Sequence, residues 1–337
     1  MVGLSSKKVV GLDIGLSAVK VAEVTISDDS VKLEKYGSSP LPEAALIEDE
    51  IQKADEIISS IQNALDDAGI SEKNICLGLF GPNTIVRKLS LAGGDDEDIE
   101  DQVLWEAEQY LPFPVEDSRL DHFIVRENEG GGIDTVVAAV RTDVVLNFQE
   151  LLANAGLKLK VADISTLALS NIFEITMGDE IDGNENASYS ILDFGAQTTK
   201  CIIYKNRMPI FTKEIPIGGS AVTEEIQRQL GVNYHEAEDL KTGHSESNPL
   251  PEEVATIAKE VSQSIVAEVK KTIDFYINST SDDSLTVCYV TGGAIRLPMF
   301  LEDLADSLGF NVSVGYTDEE GVVEAYANKK LMDGIKG

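Results

Sequence analysis

The stretch VVGLDIGLSAVKVAEV, Val9 to Val24, recurs in outline as YSILDFGAQTTKCIIY, Tyr189 to Tyr204. Asp13, Gly15 and Lys20 of the first copy take the places of Asp193, Gly195 and Lys200 in the second. Each copy reads as a strand, a tight turn opened by Asp-x-Gly, and a returning strand, which is the pattern of a β-hairpin. One such turn is ordinary hairpin chemistry. A matched second copy predicts two related halves whose turns grip one ligand between them.

The residues of those turns point to phosphate. Gly15 and Gly195 take backbone angles closed to other residues and let backbone N–H groups approach an anion. The hydroxyls of Ser17, Thr198 and Thr199 add short donors at the same edge. Asp13 and Asp193 would repel phosphate directly, so they predict a cation in between, Mg2+ reached through its waters. Lys20 supplies positive charge on the other side. A third element, TVCYVTGGAIRLPMFLEDLADSLG from Thr286 to Gly309, predicts a buried strand, a Gly-Gly turn and an amphipathic helix. A base or ribose would pack on backbone at Gly292 and Gly293. Glu238 and Lys241 are three apart on one helix face and offer bonds to a ribose hydroxyl and an adenine edge. Alone, such a pair is an ordinary surface ion pair. No G-x-G-x-x-G opens a helix after the first strand, which excludes the Rossmann pattern.

Composition removes other classes. With 59 acids against 27 bases the formal charge is −32, which disfavours nucleic acid and anionic membranes as direct partners. Such a charge serves first as a solvated surface, and it can steer a basic partner segment. At 337 residues and 43% hydrophobic content, two ordinary domains are expected. No apolar run is long enough to span a membrane. The start, MVGLSSKKVVGLDIG, runs straight into the first strand without a signal-peptide pattern, so a cytoplasmic location is expected. Cys76, Cys201 and Cys288 lie in apolar segments without metal-like spacing and read as buried thiols. His122, His235 and His244 have no matching nucleophile or second ligand nearby in sequence.

Along the chain, residues 8–41 read as three strands. A helix is expected from about Asp49 to Ala68, with Ile51, Ala54, Ile58, Ile61 and Leu65 on one face. Ile75 to Phe80 reads as a strand. After the acidic loop Gly93 to Asp98 comes a helix with Ile99, Val103, Ala107 and Leu111 on one stripe, ended by Pro112. Strands near Leu120–Arg126 and Asp134–Val140, joined by a Gly130–Gly132 turn, and a helix ending at Gly156 complete an α+β unit over roughly 84–157. A polar linker is expected from Gly178 to Asn186, a polar stretch from His244 to Pro251, and a long helix near Glu252 to Ile277.

The two hairpins with the late Gly-Gly turn resemble the actin, Hsp70 and sugar-kinase superfamily of ATP-binding folds. Within it, the chain is similar to the PilM family of type IV pilus assembly, which is related to FtsA. The similarity is carried by QVLWEAEQYLPFPVEDSRLDHFIV (Gln102 to Val125), by Val136 to Asn171, and by IFTKEIPIGGSAVTEEI (Ile210 to Ile226). The resemblance implies an α/β actin-like ATPase fold of two duplicated lobes with an inserted small α+β subdomain. Lobe I would take 1–83 and 158–180, the FtsA-like insert 84–157, and lobe II 187–315. A C-terminal segment, 316–337, would return to lobe I.

It also implies ATP and Mg2+. Asp13, Gly15, Ser17 and Lys20 would hold them from one side, and Asp193, Gly195, Thr198 and Thr199 from the other, with Gly218 and Gly219 nearby. Glu238, Lys241, Gly292 and Gly293 would hold the nucleoside. The implied partner is PilN, an inner-membrane protein whose short N-terminal cytoplasmic tail would lie in a groove formed with residues 84–157. The protein would then sit at the inner membrane through partners, without inserting itself, and self-association stays open. Tyr110, Leu111 and Phe113 are apolar contacts for that tail, or core.

Two departures from the family pattern matter. Ser165 stands where hydrolysing relatives carry an acid or amide that orients the attacking water, with Asp163 two residues earlier. Slow or negligible turnover follows. Val322 to Lys330 reads VVEAYANKK where the family has a Gly-Leu-Ala-Leu helix. Besides a purely structural module whose site has lost nucleotide, against which both aspartates and all the glycines stand, the alternatives are an FtsA-like filament protein and an actin-fold kinase. The former would carry a terminal amphipathic membrane helix, which Asn328 to Gly337 lacks the apolar residues to form. The latter needs a carboxylate base in an open cleft, for which no residue stands out.

Overall fold

The computed structural model describes residues 7–27, 30–128, 130–184, 186–243, 250–314, 316–317 and 324–325. His244 and most of the polar stretch after it lie outside them, as does most of the expected C-terminal segment 316–337. The chain divides into two compact units, one built on Met1–Asn184 with Arg207–Thr212, the other on Glu185–Asn206 with Lys213–Ala325.

In the first unit, β1 (Lys7–Ile14), β2 (Ala18–Ser27) and β3 (Ser30–Pro40) form an antiparallel meander. Short β4 (Leu46–Ile47) and β5 (Glu50–Ile51) precede α1 (Ala54–Asp67), and β6 (Asn74–Leu79) returns parallel to β1. Next come β7 (Thr84–Leu91), α2 (Asp96–Tyr110), β8 (Ser118–Glu127), β9 (Ile133–Arg141), α3 (Thr142–Asn154), β10 (Lys158–Ile164) and α4 (Ser165–Gly183).

The rest of the chain forms β11 (Ser188–Phe194), β12 (Thr199–Lys205), β13 (Met208–Ile215), α5 (Ser220–Leu230), α6 (Tyr234–Thr242), α7 (Glu252–Thr280), β14 (Leu285–Thr291), α8 (Phe300–Leu308) and β15 (Asn311–Val314), all in the second unit except the first part of β13, which falls in the first. A two-residue pairing of β16 (Tyr316–Thr317) with β17 (Glu324–Ala325) follows.

The duplication is written in the topology. One sheet runs β10-β6-β1-β2-β3 and the other β15-β14-β11-β12-β13. In each, a hairpin pairs antiparallel and its first strand pairs parallel with the strand reached by a helical crossover. Strands buried on alternate residues, such as Val10, Leu12 and Ile14, put one face of the first sheet against α1 and α3. The residues between them, Asp13 among them, are left on the other face.

This symmetry explains where α3 packs. It occupies the place that α8 holds in the second unit, the crossover between two parallel strands. Its Val144, Phe148, Leu151 and Leu152 accordingly join the core of the first sheet. The small sheet, ordered β7-β9-β8, keeps its own cluster of Leu91, Ile99, Val103, Ile133 and Val137 under α2. It also buries Asp134, which accepts from Ser90 at 2.7 Å and Arg126 at 2.9 Å and pairs with Lys88 at 3.1 Å.

Several boundaries differ from expectation. α1 begins at Ala54, not Asp49, because Glu48 adopts a left-handed φ of 54° and turns the chain into the β4–β5 hairpin. Ile51 belongs to that hairpin, and the buried stripe is Ile57, Ile61, Ala64 and Leu65. The expected linker after Gly178 is helix as far as Gly183, and Ile181 is buried. β7 was not expected, since TIVRKLSL buries only Val86 and Leu91 and shows no clean alternation. α2 starts as its acidic loop suggests: Asp95 caps it by accepting from the Asp98 N–H at 3.0 Å. Cys201 and Cys288 are buried thiols and Cys76 is half-buried.

Candidate functional site

In both hairpins the aspartate stands directly across from a lysine. Asp13 pairs in register with Lys20, and Asp193 with Lys200. The turns are closed alike: the Gly15 N–H donates to the Ala18 carbonyl and the Gly195 N–H to the Thr198 carbonyl, each at 3.0 Å. These two N–H groups are therefore used inside the turns, and neither glycine has a positive φ, so the expectation that they take backbone angles closed to other residues is corrected. Ser17 is exposed at the first turn and Thr198 half-buried at the second.

The two sites then diverge. Lys200 bonds Asp193 at 3.0 Å with both side chains mostly covered, whereas Lys20 is exposed. Thr199 is fully buried and donates to the Ile217 carbonyl at 2.8 Å. Its hydroxyl fastens the strand and is not presented at the turn, a second correction.

The second turn is also tied to the start of α5. Gly219 N–H donates to the Gly195 carbonyl at 3.0 Å, and Ser220 gives both N–H and hydroxyl to the Ala196 carbonyl at 2.7 Å. A Cβ on Gly218 would lie 2.5 Å from the Gly195 oxygen. This close approach brings the N-terminus of an 11-residue helix beside the Asp193 hairpin.

Glu238 and Lys241 do share a face of α6, but they bind each other at 2.6 Å. Lys241 also donates to Thr223 Oγ1 at 2.7 Å and to the Gly219 carbonyl at 3.3 Å, and Thr223 donates to Glu238. The pair thus joins α6 to the head of α5. Any ribose at this place exchanges bonds with an existing network.

Gly292 and Gly293 separate into two roles. Gly292 has φ +95°, and a Cβ there would sit 2.3 Å from the Phe194 oxygen, so the approach of β11 dictates this glycine. Gly293 faces open space. Only Gly293 matches the expectation of bare backbone open to a flat ligand.

In the first unit, Asp13 and Asp163 both stand opposite Gly78, on the strands either side of β6. Burial pushes the Asp163 carboxyl above its ordinary range, and the Ile164 N–H at 2.7 Å partly offsets this. Ser165 opens α4 with its hydroxyl enclosed and lacking a hydrogen-bond partner. Among the described residues no three His, Cys, Asp or Glu side chains are placed to hold a metal directly. A Mg2+ that keeps its waters and meets single carboxylates is compatible with that donor set.

The residues expected to meet a partner are half-buried. Tyr110 lies with the Arg87 guanidinium 5.3 Å from its ring centroid, and its hydroxyl is enclosed without a partner. Burial raises its pKa. Leu111 and Phe113 are half-buried at the end of α2.

One concave feature carries no sequence motif. A cavity of about 440 Å³ opens between the β4–β5 hairpin and α3, lined by Asp49, Glu50, Ile51, Arg141, Glu150 and Leu151 among others. Its signal in the sequence was a lone acid, Asp49, that reads as a helix start.

Known proteins bear on this arrangement. The cell division protein FtsA of Bacillus subtilis is 25% identical, over 93% of this chain and 79% of that protein. FtsA of Pseudomonas aeruginosa is 26% identical, over 79% and 70%. Among solved structures, the PilM–PilN type IV pilus biogenesis complex is similar with a TM-score of 0.78 at 24% identity, covering 94% of this chain and 90% of that one. The ethanolamine utilization protein EutJ of Carboxydothermus hydrogenoformans follows at 0.56 and 16%, covering 92% and 85%. The fold is the actin-like ATPase fold, two related mixed sheets with helices. The type IV pilus assembly protein PilM family matches residues 11–331, nearly the whole chain, and this protein belongs to that family.

Proposed function

We propose that this protein is a nucleotide-loaded scaffold of type IV pilus assembly that binds the N-terminal cytoplasmic tail of a PilN-like inner-membrane protein. The observation that carries the nucleotide half is the repeated Asp-x-Gly hairpin, set at the same place in two sheets of the same order. Asp13 and Asp193 would meet Mg2+ through water. Ser17, Lys20 and Thr198 would face the phosphates, with the N-terminus of α5 adding its dipole. Gly293 leaves room for the nucleoside beside the Glu238–Lys241 pair. Bound, ATP–Mg2+ would supply a polyanion for such side chains to recognise.

Ser165 offers a hydroxyl where a water-orienting acid or amide would sit, which supports slow turnover. For the partner half, the support is the cavity beside α3 in the stretch that follows the small sheet. No described helix is long and apolar enough to cross a membrane. A cytoplasmic scaffold held at the inner membrane by its partner's tail is the reading we adopt.

Calorimetric titration with ATP and Mg2+, with and without a synthetic PilN N-terminal peptide, tests this directly. We expect both ligands to bind without phosphate release. Steady hydrolysis with indifference to the peptide would replace the scaffold with a kinase or filament reading.

A further inference from the structure

Asp49 is 5% exposed, yet it lines the cavity beside α3. Its carboxylate accepts only from the neutral Asn83 amide, at 3.2 and 3.0 Å. Among the described residues no ion pair reaches it. The cation lining the cavity, Arg141, gives its hydrogen bonds to others, Nε to Asp143 Oδ1 at 2.6 Å and a terminal nitrogen to Asn83 Oδ1 at 3.3 Å, and reaches Asp49 and Glu50 only through the field of its charge. Glu50 and Glu150 add two more negative groups to the lining.

We infer that this cavity seats one positively charged side chain, Lys or Arg, of the docking protein segment, with Asp49 as its counter-charge. The inference rests on the partner reading above and adds the chemistry of its recognition. A covered carboxylate with no direct ion pair, whose neighbouring Arg141 spends its hydrogen bonds elsewhere, is only partly compensated, and a cationic head recovers the remainder on binding. Ile51, Ala54, Val144 and Leu151 give the cavity an apolar wall suited to the methylene stem of such a side chain.

The carboxylate is held ready rather than found by chance. Gly81, at φ +105°, backs onto it so closely that a Cβ there would lie 3.0 Å from the Asp49 Cβ. The left-handed Glu48 turns the chain so that Asp49 faces inward. A bare metal ion does not suit the place, since no three ligating side chains converge. The overall charge of −32 favours approach of a basic segment.

The test uses the whole protein and two kinds of probe. The first is N-acetyl-arginine amide against its neutral isostere N-acetyl-citrulline amide, followed through the amide resonances of Gly81, Asn83 and Val144. We expect saturable shifts with arginine, at least about tenfold weaker binding of citrulline, and loss of the difference in Asp49→Asn. Glu150→Gln, at the exposed rim, should weaken arginine by about threefold and serves if Asp49→Asn does not fold. Equal binding of the two probes, or indifference to both substitutions, overturns the cation seat.

The second probe is the PilN N-terminal peptide with its basic residues replaced one at a time by citrulline or norleucine. One replacement should cost about tenfold in wild type and nothing in Asp49→Asn. A peptide that binds regardless of charge overturns the seat and leaves docking intact. A peptide that fails to bind while arginine still does overturns the docking reading instead. Spermidine binding more tightly than the peptide would overturn the assignment to a protein segment.

Discussion

The two halves share one strand order, yet they keep their turn aspartates in unlike company. In the first, Asp13 faces an exposed Lys20, and its neighbours across the sheet are Gly78 and, one strand further, Asp163. In the second, Asp193 is already bonded to Lys200, and its turn is strapped to the head of α5 through Gly218, Gly219 and Ser220. Duplication fixed where each carboxylate sits. The crossovers that follow the hairpins differ: the one from β3 to β6 carries α1 as its helix, and the one from β13 to β14 carries α5, α6 and α7.

The sharpest way to break this comparison is to remove each aspartate. Asp193→Ala is expected to abolish Mg2+-dependent ATP binding, a loss of about a hundredfold or more, with the circular dichroism spectrum unchanged. Asp13→Ala should do the same. If calorimetry finds either affinity intact, that half is scaffold only.

Next in size is a contrast within the Gly-Gly turn. Gly292→Ala forces a side chain into a left-handed backbone pressed against Phe194, and should cost about 3 kcal/mol in denaturant unfolding. Gly293→Ala meets nothing and should stay within about 0.5 kcal/mol, while weakening nucleotide if the base lies there. Equal costs would mean the two glycines are not distinguished as described.

The small sheet offers a pH test. Burial pushes the Asp134 carboxyl up, but Ser90, Lys88 and Arg126 more than reverse this and bring it down to about 2. A depressed carboxylate contributes stability above its unfolded pKa and loses it as pH falls through the folded one. The window is therefore from about pH 4 down to about pH 2, and the contribution is on the order of 2 kcal/mol. Asp134→Asn should flatten the acid limb of the stability curve there. An unchanged limb would show that the buried network does not govern acid unfolding.

The smallest effect separates adjacent threonines. Thr199→Val should lower stability by about 1 kcal/mol and leave ATP affinity alone, because its hydroxyl serves Ile217. Thr198→Val should do the reverse. Matching behaviour would restore Thr199 to the ligand.

Much of this was legible beforehand, and the limits are physical. Local patterns announce the hairpins, since Asp-x-Gly between β-rich runs specifies both turn and register. The acidic loop announces α2, since Asp95 needs only the next turn's N–H to act. What stayed hidden depended on distant partners. Thr199 and Thr198 are alike in sequence, and only the Ile217 carbonyl tells them apart. Gly292 reads like Gly293 until Phe194 arrives beside it. Asp49 resembles any helix-opening acid until Asn83 and Gly81 enclose it. Glu238 and Lys241 were placed on one face by spacing, but their mutual bond and the Thr223 hydroxyl belong to tertiary packing.

The chain leaves β6 and regains α3 at neighbouring points, where the Arg141 N–H donates to the Asn83 carbonyl at 3.1 Å. The entropy of closing such a segment grows only slowly with its length, by about 0.6 kcal/mol for each doubling. Evolution, or an engineer, is thus free to exchange residues 84–140 for another module. The Asp13 hairpin would keep its place, provided the new module supplies apolar groups where Val140 joins the first sheet's core and Val86 and Val136 cover Ile164. The cavity beside α3, whose lining lies wholly outside that segment, would stay with the Asp13 hairpin, so the small sheet becomes a separately inheritable part of one chain.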